Sequence, residues 1–231
     1  MFIFAHRGAS KDAPENTLSA IRLALTQQAD GIEIDVHQVG EHLMVIHDRW
    51  LHRTTSGKGL IYQQPFEAIR QLDAGNGEQI PTLVEVLACI QGQCILNIEV
   101  KALDKPSLLL DAIDYAITHY GFSAEQFLIS SFDHPLLVTL KQLRPTLSIG
   151  ALTASIPHDY AAFAQEIDAC AVNCDMSAFN QAMVTDAHQR GLKVYVYTVD
   201  QAEDILTLHQ WGVDGIFTNY PARSKQLLTS Q

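Results

Sequence analysis

Short runs rich in β-branched and aromatic residues alternate with helix-like segments along the whole chain, and this alternation limits the possible folds more than any other feature. Strands are predicted near 2–5, 31–36, 94–100, 127–131, 147–152, 170–174, 193–198 and 214–218. Helices are predicted near 15–28, 82–91, 106–120, 134–143, 158–166, 180–190, 200–210 and 221–228. Eight of each is the count of an α/β protein built as a (β/α)8 TIM barrel. Local signals agree. Pro14 before Glu15 marks a helix start, Thr82 with Glu85 makes a capping box after Pro81, and Gly191 and Gly212 sit where helices end. A chain of 231 residues, 47% of them hydrophobic, suits a single such domain spanning 1–231.

The alternation breaks once, over approximately 37–81. The run Leu43-Met44-Val45-Ile46 reads as a further strand, joined to the second barrel strand by a few residues that include Gly40. A link that short makes a hairpin, because a parallel crossover needs about a dozen residues or more. The segment is therefore a hairpin-containing insertion in the second βα loop, and long loops on barrels commonly carry function.

Charge and patterning exclude several classes. A net charge of −11 disfavours nucleic acid as a partner, since phosphate backbones call for basic stripes. No apolar run approaches the roughly 20 residues that span a bilayer, and no signal-peptide pattern precedes His6, so a cytoplasmic protein without stable membrane association is expected. Cys89, Cys94, Cys170 and Cys174 show no CxxC spacing; Cys170 and Cys174 would lie about 13 Å apart on one strand, too far for a disulfide. Reduced, buried thiols are expected.

The chemistry gathers at predicted strand ends. Glu33 and Asp35 alternate between Ile32, Ile34 and Val36, so both carboxylates face one way, towards the barrel mouth. Two buried carboxylates repel each other unless a cation or a pair of basic side chains intervenes. Asn97, Glu99 and Lys101 repeat the alternation on the third barrel strand. Oxygens from Glu33, Asp35 and Glu99 suit a hard divalent ion, Mg²⁺ or Ca²⁺, better than zinc. Lys101 is either a salt-bridge partner of these acids or a cation aimed at phosphate, and its strand-end position favours phosphate.

His6 ends the first strand and His47 ends the hairpin strand, each beside a charged residue. Imidazole titrates near neutral pH, so one ring can accept a proton while the other donates one. Arg7 supplies a guanidinium that can grip phosphate oxygens in a bidentate way, and Gly8 leaves the main chain open to close approach. The other eight histidines, His37 among them, read as surface residues.

Taken in order, His6-Arg7-Gly8, Pro14-Glu15-Asn16-Thr17, Gly31-Ile32-Glu33-Ile34-Asp35-Val36, Val45-Ile46-His47-Asp48, Ile80-Pro81-Thr82-Leu83, Asn97-Ile98-Glu99-Val100-Lys101 and Gly212-Val213-Asp214-Gly215-Ile216 resemble the glycerophosphodiester phosphodiesterase family over nearly the whole chain. The resemblance implies a TIM-type barrel that hydrolyses small-molecule glycerophosphodiesters to sn-glycerol 3-phosphate and an alcohol with a divalent metal. It assigns Glu33, Asp35 and Glu99 to the metal, His6 and His47 to acid–base catalysis, and Arg7 to the phosphate. Two positions depart from the family pattern: Tyr197 replaces a usual Trp, and Asn219 replaces the Asp of a Thr-Asp-x-Pro motif. A phospholipase acting on intact lipid is the rival within enzymes, but it needs an apolar rim, and the predicted loops are polar apart from Trp50, Phe66 and Phe132. A phosphate-binding module without catalysis is disfavoured by the intact histidines and carboxylates.

Overall fold

Ile32, Ile34 and Val36 share one face of their strand with no polar neighbour, as do Leu96, Ile98 and Val100 on theirs. Such faces must be covered by helices. In the computed structural model, which describes residues 1–229, these side chains pack outward against Ile21, Val86, Leu87 and Leu109 of the surrounding helices. The strands are β1 (Phe2–His6), β2 (Gly31–Val39), β3 (His42–Val45), β4 (Ile95–Ala102), β5 (Phe127–Ser131), β6 (Ile149–Thr153), β7 (Ala171–Asp175), β8 (Lys193–Tyr197) and β9 (Gly215–Thr218). All except β3 pair in parallel in the order β1-β9-β8-β7-β6-β5-β4-β2, and β2 pairs with β1 to close an eight-stranded barrel.

The helices are α1 (Leu18–Thr26), α2 (Phe66–Ile69), α3 (Leu83–Ile90), α4 (Pro106–His119), α5 (His134–Leu143), α6 (Ala162–Glu166), α7 (Gln181–Gln189), α8 (Ala202–Gln210) and α9 (Pro221–Thr229). Two of them differ from expectation at their N-termini. α1 begins at Leu18, not near residue 15, because Thr17 is its cap and accepts from the Ala20 N–H. Glu15 and Asn16 are thereby left outside the helix. α6 is shortened to five residues by the turn at Pro157–Tyr160, where Tyr160 has φ 51°. The capping box at Thr82 and Glu85 forms as expected.

The barrel interior is layered. Phe4, Leu128, Ala171, Tyr195 and Phe217 fill its floor, and a Cβ at Gly31 would lie 2.4 Å from the Phe4 ring, so glycine makes room for that floor. Above it lies a polar layer of Asn97, Ser130 and Asn173, and above that the carboxylates of the mouth.

β3 runs antiparallel to β2, with Val36 opposite Val45 and Val39 opposite His42. From there the chain makes a bridge between Trp50 and Leu60, a 3₁₀ turn at Ile61–Gln63 and α2 before reaching α3. Met44, Ile46, Leu51, Ile61, Ile69 and Ile80 form a core of their own here, separate from that of the barrel. Residues after β3 therefore stand on a packed platform.

All four cysteines are free. Cys94 and Cys174 are buried, and burial pushes their thiols up to about 12. Cys89 is half-buried, and Cys170 is exposed because it lies just ahead of β7 at the strand's entrance, so the expectation of four buried thiols fails there. Among the described residues no helix is long and apolar enough to cross a membrane.

Candidate active site

The turn after β1 sets the site. Arg7 and Gly8 both have left-handed backbones, φ 58° and 78°, and a Cβ at Gly8 would meet the Ala20 main chain at 2.7 Å. This turn aims the Arg7 N–H at Glu33 Oε2, 2.8 Å away. Asn16 is left-handed too, at φ 58°, a conformation asparagine tolerates well. Its Nδ2 donates to Asp35 Oδ2 at 2.8 Å and its Oδ1 accepts from the Asp35 N–H at 3.2 Å.

Strand register brings the acids together: Glu33 lies opposite His6, and Asp35 opposite Glu99. One carboxylate oxygen from each of Glu33, Asp35 and Glu99 lies within 4.8 Å of the other two. Glu33 and Asp35 are 3% and 1% exposed, a burial that carboxylates reach only when their charge is answered. Lys101 Nζ stands 3.1 Å from Asp35 Oδ1 and pairs with Glu99, while Arg7 Nε lies 3.3 Å from Asp35 Oδ2. Lys101 thus stands in salt bridges to the acids, where its strand-end position favoured a role towards phosphate.

The electrostatics are uneven across the three acids. Burial alone would raise the Asp35 carboxyl, but Lys101 and Arg7 bring it down to about 2. Glu33 is pushed well above the usual carboxylate range by burial and then by the charges of Asp35 and Glu99. Burial and Asp35 also push Glu99 up. Buried Oε1 of Glu33 has no hydrogen-bond partner among the described residues. An unpartnered buried carboxylate oxygen, in an all-oxygen cluster carrying more negative charge than its neighbours neutralise, fits a hard divalent cation.

The two histidines have different partners. His6 Nδ1 lies 2.9 Å from Asn219 Oδ1. Asp200 settles the orientation of that amide, because Asn219 Nδ2 donates to Asp200 Oδ2 at 2.7 Å and Ser10 Oγ donates to Asn219 Oδ1 at 2.8 Å. His6 Nδ1 therefore carries the hydrogen, and Nε2 is left with its lone pair. Burial, helped by the adjacent Arg7 charge, lowers His6 to about 4, so its ring is neutral at physiological pH. His47 Nδ1 instead meets the carboxylate of Asp48 at 2.6 Å. Arg53 pairs with Asp48 and reaches Glu15 with NH1 and NH2 at 2.9 and 2.8 Å, and Glu15 in turn holds Arg7 NH1 at 2.8 Å. Arg53 above all, with help from His47, holds the Asp48 carboxyl below the usual range against the opposing effect of burial. One chain of charges thus runs from His47 through Asp48, Arg53, Glu15 and Arg7 to Asp35.

All seven residues predicted for the site, His6, Arg7, Glu33, Asp35, His47, Glu99 and Lys101, converge around this mouth: six are tied to the acid cluster by contacts or register, and His47 lies near enough for its charge to act on Asp35. Five supporting residues were read otherwise or not at all. Glu15 and Asn16 read as a helix start, Asn219 as a departure without a partner, and Asp200 and Arg53 carried no signal of their role. His37 requires a correction. It is 3% exposed, not a surface residue, because β2 continues past the barrel to Val39 and the insertion covers it. His134 also departs from the surface reading, since it stacks on Phe163 and its Nε2 donates to the Leu152 carbonyl at 2.9 Å.

Comparison with known proteins gives a consistent result. The Glycerophosphoryl diester phosphodiesterase family profile matches residues 6–223. A glycerophosphodiester phosphodiesterase of Caldanaerobacter subterraneus subsp. tengcongensis is 37% identical over 230 residues, covering 95% of this chain and 94% of that protein. An Oleispira antarctica phosphodiesterase, solved in complex with the product sn-glycerol-3-phosphate, superposes with a TM-score of 0.90 at 32% identity, covering 99% of this chain and 97% of the other. A glycerophosphodiester phosphodiesterase from Agrobacterium tumefaciens superposes with a TM-score of 0.84 at 27% identity over the full length of both chains. The barrel, its mouth and these similarities converge: the chain belongs to the glycerophosphoryl diester phosphodiesterase family and is a phosphoric diester hydrolase.

Proposed function

We propose that this enzyme hydrolyses glycerophosphodiesters to sn-glycerol 3-phosphate and an alcohol, using Glu33, Asp35 and Glu99 to hold Mg²⁺ or Ca²⁺ and His6 and His47 as base and acid. The observation that carries the reading is the unpartnered Glu33 oxygen in an acidic triad flanked by two differently partnered imidazoles. A bound divalent cation would draw charge from a phosphoryl oxygen and make phosphorus easier to attack. Arg7 and Lys101 bind the remaining phosphoryl oxygens and share the charge that develops there. His6 Nε2, with its lone pair, takes the proton from the nucleophile as the new O–P bond forms. Attack by water gives the monoester directly. Attack by the neighbouring glycerol hydroxyl gives a cyclic phosphate, whose ring P–O bond water then breaks with the two imidazoles exchanging roles. His47 Nε2 gives a proton to the departing alkoxide as the old P–O bond breaks, while Asp48 complements the ring carrying both protons.

The whole chain acts as one catalytic unit, with the segment near 37–81 supplying His47, Asp48 and Arg53. Four unpaired cysteines fit a reducing, cytoplasmic compartment and a role in glycerophospholipid breakdown. Glycerol 3-phosphate release from glycerophosphocholine tests the reading. EDTA should abolish it, Mg²⁺ or Ca²⁺ should restore it, and phosphatidylcholine vesicles should turn over far more slowly. Release that persists in EDTA would remove the metal from the scheme, and faster turnover of vesicles would make the enzyme a phospholipase.

A further inference from the structure

His37 is a buried imidazole that the proposed chemistry does not use. It follows a register shift between Val36 and His37 in the pairing of β2 with β4, which carries it out of the barrel wall and under the insertion. Both ring nitrogens are partnered. Nε2 lies 2.9 Å from the main-chain carbonyl of His47, and Nδ1 lies 2.5 Å from the Tyr62 hydroxyl. A carbonyl can only accept, so Nε2 carries the hydrogen, Nδ1 has the lone pair, and Tyr62 O–H is its donor. The tautomer is thus fixed from both sides.

The Tyr62 end of this arrangement is anchored through its main chain, while the residue itself is 43% exposed. Tyr62 lies in the 3₁₀ turn beside Ile61, which is wholly buried in the insertion's own core, and its ring meets His37 edge-on at 5.5 Å. The His47 end depends on it. The last ladder-like bond before His47 is Ile46 N–H to the Asp35 carbonyl at 3.0 Å, and beyond it the His47 carbonyl has His37 as its sole hydrogen-bond partner among the described residues. The chain at His47 belongs to no helix or strand. A ring that must reach the leaving oxygen is therefore carried on a residue whose own carbonyl is held by one side-chain bond, between the main-chain bonds of Ile46 and Arg49 on either side.

We propose that His37 is a positioning residue, which acts through His47 by clamping its main chain to β2 in a tautomer locked by Tyr62. The inference rests on the acid–base role proposed above for His47. It is tested by kcat and KM for glycerophosphocholine at saturating divalent metal in two closely matched variants. His37→Gln keeps an amide N–H where Nε2 stands and can reach the His47 carbonyl. His37→Asn reaches only the Nδ1 position. The asparagine variant should lose roughly 10- to 100-fold in kcat with KM and metal affinity little changed, and the glutamine variant should recover most of that loss. Tyr62→Phe, which unlocks the tautomer but leaves the clamp, should cost only a few-fold.

A double-mutant cycle separates positioning from general packing. His37→Asn should add almost nothing to His47→Ala, because a clamp has no effect once the ring it aims is gone. Equal losses for Asn and Gln, or a loss from His37→Asn that persists undiminished in the His47→Ala background, would overturn the inference while leaving the role of His47 intact. Near wild-type turnover in His47→Ala alone would overturn both that role and this inference. Each variant's melting temperature is compared with wild type, so that a fall in kcat from partial unfolding is recognised.

Discussion

His6 and His47 approach the same acidic triad from two kinds of structure. His6 is the last residue of β1, held between β2 and the end of β9, and its partner is the neutral amide of Asn219. His47 stands beyond β3 on a platform with its own core, and its partner is the carboxylate of Asp48. Burial and Arg7 keep the first ring neutral, down to about 4, while the charged network through Arg53 and Glu15 surrounds the second. The same imidazole chemistry is therefore turned in opposite directions by what each Nδ1 faces. A neutral acceptor fixes a tautomer without favouring a second proton, whereas a carboxylate complements a ring that carries two. Asn219, held by Asp200, is the neutral acceptor that sets the first arm apart from the second.

The largest expected effect comes from removing what both arms serve. Glu33→Gln should lower turnover by at least roughly 10³-fold, since it removes both a proposed metal ligand and charge at the phosphoryl group. Calorimetric titration should show weakened Mg²⁺ or Ca²⁺ binding with the melting temperature of the apo protein unchanged or raised, because a buried, poorly compensated acid has been neutralised. Undiminished turnover or metal affinity in this variant would break the comparison at its root.

A smaller effect should sharpen it. A histidine lowered in the folded state binds its proton in the unfolded chain first, so the unfolded state takes up more protons between the ordinary value of about 6.5 and the folded value of about 4. That contribution leaves stability unaffected above about pH 6.5 and lowers it as pH falls through the window to about 4. Glu33 and Glu99, held up by burial, contribute with the opposite sign, so the His6 slope is read as the difference between wild type and His6→Gln in denaturant unfolding of apo protein from about pH 7.5 to 4.5. A slope unchanged by His6→Gln would mean that the ring is not held neutral by its surroundings.

The legible parts of the molecule follow from short-range geometry. Residues 33 and 35, and 97, 99 and 101, could be placed together because a strand's period of two puts alternate side chains on one face whatever surrounds them. The hairpin was legible because the link through Gly40 is too short for a crossover. What stayed hidden depends on distant partners. Asn219 meets His6 across 213 positions, and Arg53 meets Glu15 across 38, separations that no local pattern encodes. His37 was misread for a different reason. It continues the 33–35 alternation, but the predicted strand stopped at Val36, whereas β2 runs on under the insertion. Glu15 and Asn16 were misread because an acid after proline resembles a helix start, while the true cap is Thr17.

The central claim is that the two histidines are unlike in role because their partners are unlike, and leaving-group dependence tests it most directly. On glycerophosphocholine, His6→Ala and His47→Ala should each lose roughly 10²- to 10⁴-fold in turnover with metal affinity retained. A p-nitrophenyl phosphodiester leaves without needing a proton, so it should restore His47→Ala towards wild type and leave His6→Ala impaired. Rescue of His6→Ala instead, or of both variants equally, would contradict the assignment of base and acid to these two rings.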